Sequence, residues 1–211
     1  MLQQAEPGSR PQCPKGHITL LIRTTSEAKL DMTPEEAVNR GNSDGRFCLL
    51  AVEEIADSDK DPIIRHTVTE FHGNGISDAE ISDFTRLYTD WTLSRKLVLN
   101  GALIGFYLLR EGSIADLLHA RYYHCTPLED LSVYANRRGV EGIILLVLPD
   151  YRGNGYGNLL KDLPRSMGFD YIYGEQFKAT PEVLQHWLKR RRLIADCDGR
   201  YGDVWVTLED F

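Results

Sequence analysis

The sequence predicts an α+β protein, and three stretches carry the prediction. Leu97-Val98-Leu99-Asn100-Gly101-Ala102-Leu103-Ile104-Gly105-Phe106-Tyr107-Leu108-Leu109 sets two apolar runs about an Asn-Gly pair. That pair is a strong hairpin signal, because both turn residues accept the positive φ that a tight antiparallel turn needs. Near the C-terminus, Leu193 to Cys197 and Asp203 to Leu208 repeat the pattern about Asp198-Gly199. Between these hairpins, Gly142 to Leu148 is a continuous apolar run of the kind buried on both faces of a sheet. It leads through a glycine-rich turn into apolar residues at helical spacing (Tyr156, Leu159, Leu160, Leu163, Met167).

The remaining elements follow in order. Residues 1–16 are polar and rich in Pro and Gly, and are expected to be a disordered tail. They hold no apolar core that would make a signal peptide. His17 to Thr24 reads as a strand, and Thr33-Pro34-Glu35-Glu36 as a capping box opening a short helix. Arg46 to Ile55 reads as a second strand, closed by an acidic turn from Asp57 to Pro62. Ile63 to Phe71 alternates in part and reads as a third strand. After the turn His72-Gly73-Asn74-Gly75, Ser77 and Glu80 form another capping box. Ile81, Phe84, Leu87, Tyr88 and Trp91 then make one helical face.

Beyond the central hairpin, Glu111 to Glu141 holds a helix (Ile114 to Tyr122) and a loop around Asn136-Arg137-Arg138-Gly139. This stretch is either a functional insertion or a packing elaboration. Pro164 should kink or end the helix that follows the glycine turn near Leu163. Asp170 to Gly174 reads as a strand. Thr180-Pro181-Glu182 caps a helix through Arg191, with Val183, Leu184, Trp187 and Leu188 inward.

Composition narrows the function. A chain of 211 residues can bury a full core. Its net charge of −7 argues against general nucleic-acid binding. No apolar run approaches the roughly 20 residues that span a bilayer. Cys13, Cys48, Cys125 and Cys197 lack paired spacing, which suits reduced thiols in a cytoplasm. His119, His124 and Cys125 are close in sequence but no further residue completes a metal set, so they read as surface or packing residues.

The most informative stretch is Val147 to Leu160, VLPDYRGNGYGNLL. Pro149 has no N–H for a ladder, so strand pairing should stop there. Glycines at the following helix start let several backbone N–H groups close on one anion, and the helix dipole favours it. A Walker loop needs Lys-Ser or Lys-Thr after its last glycine, where Asn158-Leu159 stand here. The dinucleotide fingerprint needs a third small residue where Asn158 stands. The third pattern, Arg/Gln-x-x-Gly-x-Gly/Ala, matches Arg152-Gly153-Asn154-Gly155-Tyr156-Gly157 at every fixed position. With Val147 and Pro149 before it, this stretch resembles the acetyl-CoA-binding motif of the GNAT N-acetyltransferase superfamily.

The resemblance implies a GNAT-like (acyl-CoA N-acyltransferase) fold: a mixed, mostly antiparallel central sheet flanked by helices, with an N-terminal extension. It covers residues 63–211 and leaves 17–62 as an extension packed on the core, either an added subdomain or extra sheet edge. It implies acetyl-CoA as co-substrate, entering a wedge between the Gly142 to Leu148 strand and the Asp170 to Gly174 strand. Backbone groups near Leu146, Val147 and Leu148 would pair with the pantetheine and supply an oxyanion donor. Arg152, Gly153, Asn154, Gly155, Tyr156, Gly157 and Asn158 would hold the pyrophosphate.

The implied reaction is direct attack of a primary amine on the thioester, which needs a base to free the amine of its proton. Glu141, eleven positions before Arg152, is the base candidate, at the offset where histone-type members place a glutamate. Glu175 is the reserve. Many members carry a tyrosine acid on the next-to-last helix. Trp187 stands there in this chain, leaving Tyr173 or His186 as substitutes, or an unassisted thiolate. The run Lys189-Arg190-Arg191-Arg192 reads as a solvated basic helix end, with the 3′-phosphate of CoA or an RNA contact as alternatives. The competing function is a non-catalytic GNAT-fold binding or assembly protein, with or without bound CoA. The amine acceptor, small molecule or protein, is not written in the sequence.

Overall fold

The computed structural model describes residues 18–22, 48–73, 75–178, 180–199 and 202–211. The expected tail over 1–16 and the helix expected from Thr33 lie outside the described residues. In chain order the elements begin with β1 (Ile18–Ile22), β2 (Cys48–Glu54), α1 (Asp57–Phe71) and α2 (Asp78–Tyr88). The central hairpin is β3 (Asp90–Leu99) and β4 (Ala102–Glu111). Then come α3 (Ile114–Arg121), β5 (Tyr122–Pro127) and β6 (Gly139–Val147). Two short helices, α4 (Tyr156–Lys161) and α5 (Leu163–Ser166), lead into β7 (Tyr171–Phe177). The chain closes with α6 (Pro181–Trp187), β8 (Arg192–Gly199) and β9 (Gly202–Asp210).

All nine strands form one mixed sheet in the order β1-β2-β3-β4-β6-β7-β9-β8-β5. Only β1·β2 and β6·β7 are parallel; the other pairs are antiparallel. The hairpin turns at Asn100 (φ 51°) and Gly101 (φ 82°), the two positive angles of a type I′ turn. Asn100 also accepts a 2.8 Å bond from the Leu49 amide through its side chain, tying β2 to the turn. β1 and β2 extend the sheet at the β3 edge.

The core lies on both faces of the sheet. On one face, Leu97, Leu99, Tyr107, Leu109, Val140 and Ile172 pack under α4 and α5 through Tyr156, Leu160, Leu163 and Phe169. On the other, Phe106, Leu108, Ile144 and Leu146 meet Ile63 of α1. Farther along that second face, Tyr171, Tyr173, Ile194, Val206 and Leu208 meet Ile114 and Leu118 of α3.

Four sequence expectations are corrected. Ile63 to Phe71 is helix, not strand, and the acidic turn before it is the first part of the same helix. Its inward positions, Ile63, Ile64, Thr67 and Phe71, have helical spacing once Thr67 is counted as buried. Asp59 closes its N-terminus by accepting the Ala56 amide at 2.8 Å. The boundary expected between 62 and 63 therefore falls inside α1. In α2, Leu87 is exposed and Trp91 belongs to β3. In α6 only Leu184 is buried, while Val183 and Leu188 are exposed. Lastly, Tyr122–Pro127 is a strand that the sequence reading assigned to helix and loop. It ends in proline, which has no N–H for a ladder, and it occupies the sheet edge where that is tolerated.

The cysteine reading also changes. Cys125 and Cys197 stand directly opposite each other in β5·β8 and are joined as a disulfide.

Candidate functional site

The parallel ladder between β6 and β7 has three rungs, Gly139↔Tyr171, Val140↔Ile172 and Glu141↔Tyr173, and then stops. β6 continues six residues to Val147 and β7 four residues to Phe177, each held by its other neighbour. A slot therefore opens within the sheet beyond Glu141 and Tyr173. Its local cause is a bulge in β6. Leu108 pairs with Ile144 and Leu109 with Gly142, so Ile143 is an extra residue, and an extra residue bends its strand and breaks the pairing.

The glycine-rich turn sits at the open end of this slot. β6 ends at Val147, Pro149 opens a short 3-10 turn (Pro149–Tyr151), and Gly153 (φ 80°) and Gly155 (φ 79°) adopt the left-handed conformation. Both lie in open space. Among the described residues, the amides of Gly153 to Gly157 meet no acceptor, whereas that of Arg152 donates to Pro149 and that of Asn158 to Gly155. The side chains of the turn mostly fasten it. Arg152 reaches the Val147 carbonyl at 2.9 Å and Glu70 of α1 at 2.7 Å. Asn154 donates to the carbonyls of Tyr151 and Arg152. Tyr156 is buried in the core.

Of the backbone groups expected along the slot, the Leu148 amide is committed to the sheet, donating to Ile104 at 2.9 Å. Strand alternation places the Leu146 amide on the same side and the Val147 amide toward the slot. The Val147 and Leu145 side chains lie beneath Gly157, in contact range of a side chain there.

The slot has two chemically different faces. On the α1 and α3 face stand Glu141, Tyr173 and, by alternation, Glu175. Glu141 is 2% exposed and accepts a 2.9 Å bond from Arg110, its neighbour across β4·β6. Arg110 also lies 5.1 Å from the Tyr88 ring of α2. Tyr173 is buried against Tyr171, Ile194 and Leu208. Glu175 is in β7 itself, not past its end as expected.

The α4 and α6 face is cationic. Arg191 is 5% exposed. It donates to the Tyr107 hydroxyl at 3.1 Å, and its Cζ lies 4.0 Å from the Trp187 ring centre. Its guanidinium covers Gly174, the first β7 residue past the ladder: a Cβ there would be 3.0 Å from Nη1 and 3.1 Å from the Gly142 carbonyl. Lys161, also 5% exposed, lies 4.3 Å from the centre of the same indole and meets His186 at 2.7 Å. Burial, then the charges of Arg191 and Arg190, pull the Lys161 ammonium down to about 8. The Lys161 charge in turn lowers His186. Burial pushes the Tyr107 hydroxyl up, against the pull of Arg191.

Arg191, Lys161, Tyr107 and Arg110 were not singled out as site residues. The run Lys189 to Arg192 is not a solvated helix end. Arg190 pairs with Asp162 at 2.6 Å and Glu209 at 2.9 Å, Arg191 turns inward, and Arg192 binds Glu129 and Asp210. Its sequence carried no sign of this, because the partners lie on other elements.

No family model and no curated protein matches the chain. Solved structures do match it. A GNAT-family acetyltransferase from Streptococcus agalactiae aligns over 77% of this chain and 95% of its own, at 13% identity and TM-score 0.55. Ard1 from Thermoplasma volcanium covers 76% and 97%, at 14% identity and TM-score 0.52. The chain has the GNAT fold. Naa50 of Arabidopsis thaliana, solved with the bisubstrate analogue CoA-Ac-MVNAL, shares it over 77% of this chain and 99% of that one, at 14% identity and TM-score 0.51. The GNAT sheet here is mixed and mostly antiparallel, with helices on both faces. Among the described residues no helix is long and apolar enough to cross a membrane.

Proposed function

We propose that this GNAT-fold protein is an acetyl-CoA-dependent N-acetyltransferase that passes acetyl to a primary amine by direct attack on the thioester. One observation carries the reading: β6 and β7 part at Glu141 and Tyr173, and the glycine turn lies at the open end of the same slot. The six strand steps from Glu141 to Val147 span about 20 Å, a length suited to an extended pantetheine arm. The pyrophosphate would rest on the amides of Gly153 to Gly157, with Arg152, Asn154, Tyr156 and Asn158 shaping the turn. The Val147 amide would pair with the arm.

Glu141, at the apex, would take the proton of the incoming ammonium, with Glu175 two residues past Tyr173 as the reserve base. The free amine attacks the thioester carbon, a β6 backbone N–H holds the developing oxyanion, the C–S bond breaks to release CoA thiolate, and the second amine proton passes to water as the amide forms. The acceptor is an amine, either a small molecule or a protein group.

A second reading has its own support. Lys161–His186 joins α4 to α6, and Asp162–Arg190 joins the residues that follow those two helices. A chain with these two segments fixed together would serve as a GNAT-fold binding or assembly module, with or without bound CoA, rather than an enzyme. Thermal-shift titration with acetyl-CoA separates the readings when combined with CoA release over an amine panel. Ligand at about a hundred times its dissociation constant stabilises by roughly 2.7 kcal/mol. Binding with CoA release favours the enzyme, binding alone favours the module, and loss of the shift in Gly155→Val would locate the ligand at the turn.

A further inference from the structure

Arg191 is a charged group in an unusual position. It is 5% exposed, no carboxylate forms an ion pair with it among the described residues, and its Nε is buried without a hydrogen-bond partner. An unpaired buried guanidinium is costly, because the interior replaces water poorly around a charge. The groups around it are Tyr107 of β4, Lys161 of α4, Trp187 of α6 and the adjacent Arg190, with His186 of α6 held on Lys161. Glu209 of β9 also acts on this cluster, but Arg190 binds it directly. The balance is therefore positive and sits over Gly174, the first β7 residue past the β6·β7 ladder, beside the Gly142 carbonyl. Glycine at Gly174 is what lets the guanidinium come so close.

We propose that Arg191 is the group that holds the negative charge developing on the thioester sulfur as the C–S bond breaks. This rests on the acetyl-CoA reading of the slot. The geometry divides the reaction between the two faces: Glu141 takes the amine proton on one, and Arg191 meets the departing sulfur on the other. The sulfur leaves with the bonding electron pair as a thiolate. It needs no proton donor while the fixed guanidinium offsets its charge, so Trp187 can stand beside it without acting as an acid.

Coenzyme A itself tests this without any knowledge of the acceptor. Its thiolate absorbs in the ultraviolet, so the thiol can be titrated free and bound, with binding followed in parallel by calorimetry. An opposite charge within contact distance favours the ionised form about tenfold or more. The bound thiol of the wild-type protein should therefore ionise at clearly lower pH than free coenzyme A. Arg191→Gln should abolish that difference while still binding, and Arg191→Lys should retain part of it.

A bound thiol that titrates like free coenzyme A in the wild-type protein overturns the proposal, whether or not the variants fold. So does an unchanged shift in Arg191→Gln. Absence of any binding heat in the wild type overturns the acetyl-CoA reading as well, and the calorimetry reports that outcome separately.

Discussion

Tyr107 and Gly142 lie on neighbouring strands so close together that a Cβ at Gly142 would be 2.4 Å from the tyrosine hydroxyl. That hydroxyl is the one that accepts from Arg191. The glycine, the tyrosine and the arginine thus form a stacked set at the point where β6 and β7 part. The slot's apex is shaped by the absence of one side chain as much as by the presence of two.

Gly142→Ala should therefore push the Tyr107 ring away and destabilise the protein by about 1–3 kcal/mol, as overpacked cores do. In a Tyr107→Phe background the same substitution should cost less, since the closest atom is gone. Urea denaturation of the four proteins gives the coupling directly. Additive costs would show that the clash is absorbed elsewhere.

The Glu141–Arg110 pair separates structure from catalysis. Glu141 is almost wholly buried and Arg110 largely so. Removing one partner of such a pair typically costs about 3–5 kcal/mol, because the other charge is left stranded. Glu141→Ala should be destabilising on that scale, and Arg110→Met should relieve much of the loss in the double variant. Glu141→Gln should retain coenzyme binding while slowing acetyl transfer. An unaltered transfer rate would reduce Glu141 to the anchor of Arg110.

Lys161 makes stability depend on pH. Its folded value is about 8, below its ordinary 10.5. Below pH 8 the amine is charged in both states, and the burial penalty is fully present. Between 8 and 10.5 the unfolded chain binds more protons, so stability rises with pH across that window. The denaturation midpoint of the wild type should gain on that of Lys161→Met from pH 8 to 10. The same variant should let His186 titrate at higher pH by NMR, because the Lys161 charge is the main cause of its lowering.

The Cys125–Cys197 link closes a loop of 72 residues between β5 and β8. By the chain-entropy account, a loop of that length stabilises by about 4 kcal/mol when bridged. Reduction, or Cys125→Ser, should lower the urea midpoint accordingly, and intact mass under non-reducing conditions should be two hydrogens lighter than after reduction. An unchanged midpoint would mean that β5 is held by its ladder alone.

Much of the architecture was legible in the sequence because its signals are local. Asn100-Gly101 announces a hairpin through two residues that tolerate positive φ, and Pro149 ends β6 by lacking an N–H. Pro164 breaks the helix after the turn into α4 and α5. The failures arose where a neighbour decided. Ile63 to Phe71 looks half-alternating until Thr67 is known to be buried, bonding back to Ile63 at 3.0 Å. Tyr122–Pro127 becomes a strand only because β8 offers it an edge.

By itself, then, the sequence determined the hairpins, the strand-to-helix turn of Arg152 to Gly157 and the family of folds that such a turn implies. Each depends on backbone preferences of residues within a few positions of one another. Tertiary structure alone decided that the ladder stops at Glu141 and Tyr173, that Glu141 is bound by Arg110, and that Arg191 faces inward beside Lys161. Burial and charge pairing are properties of the assembled surroundings, and in those surroundings the three arginines of the basic run were divided between surface ion pairs and a buried guanidinium.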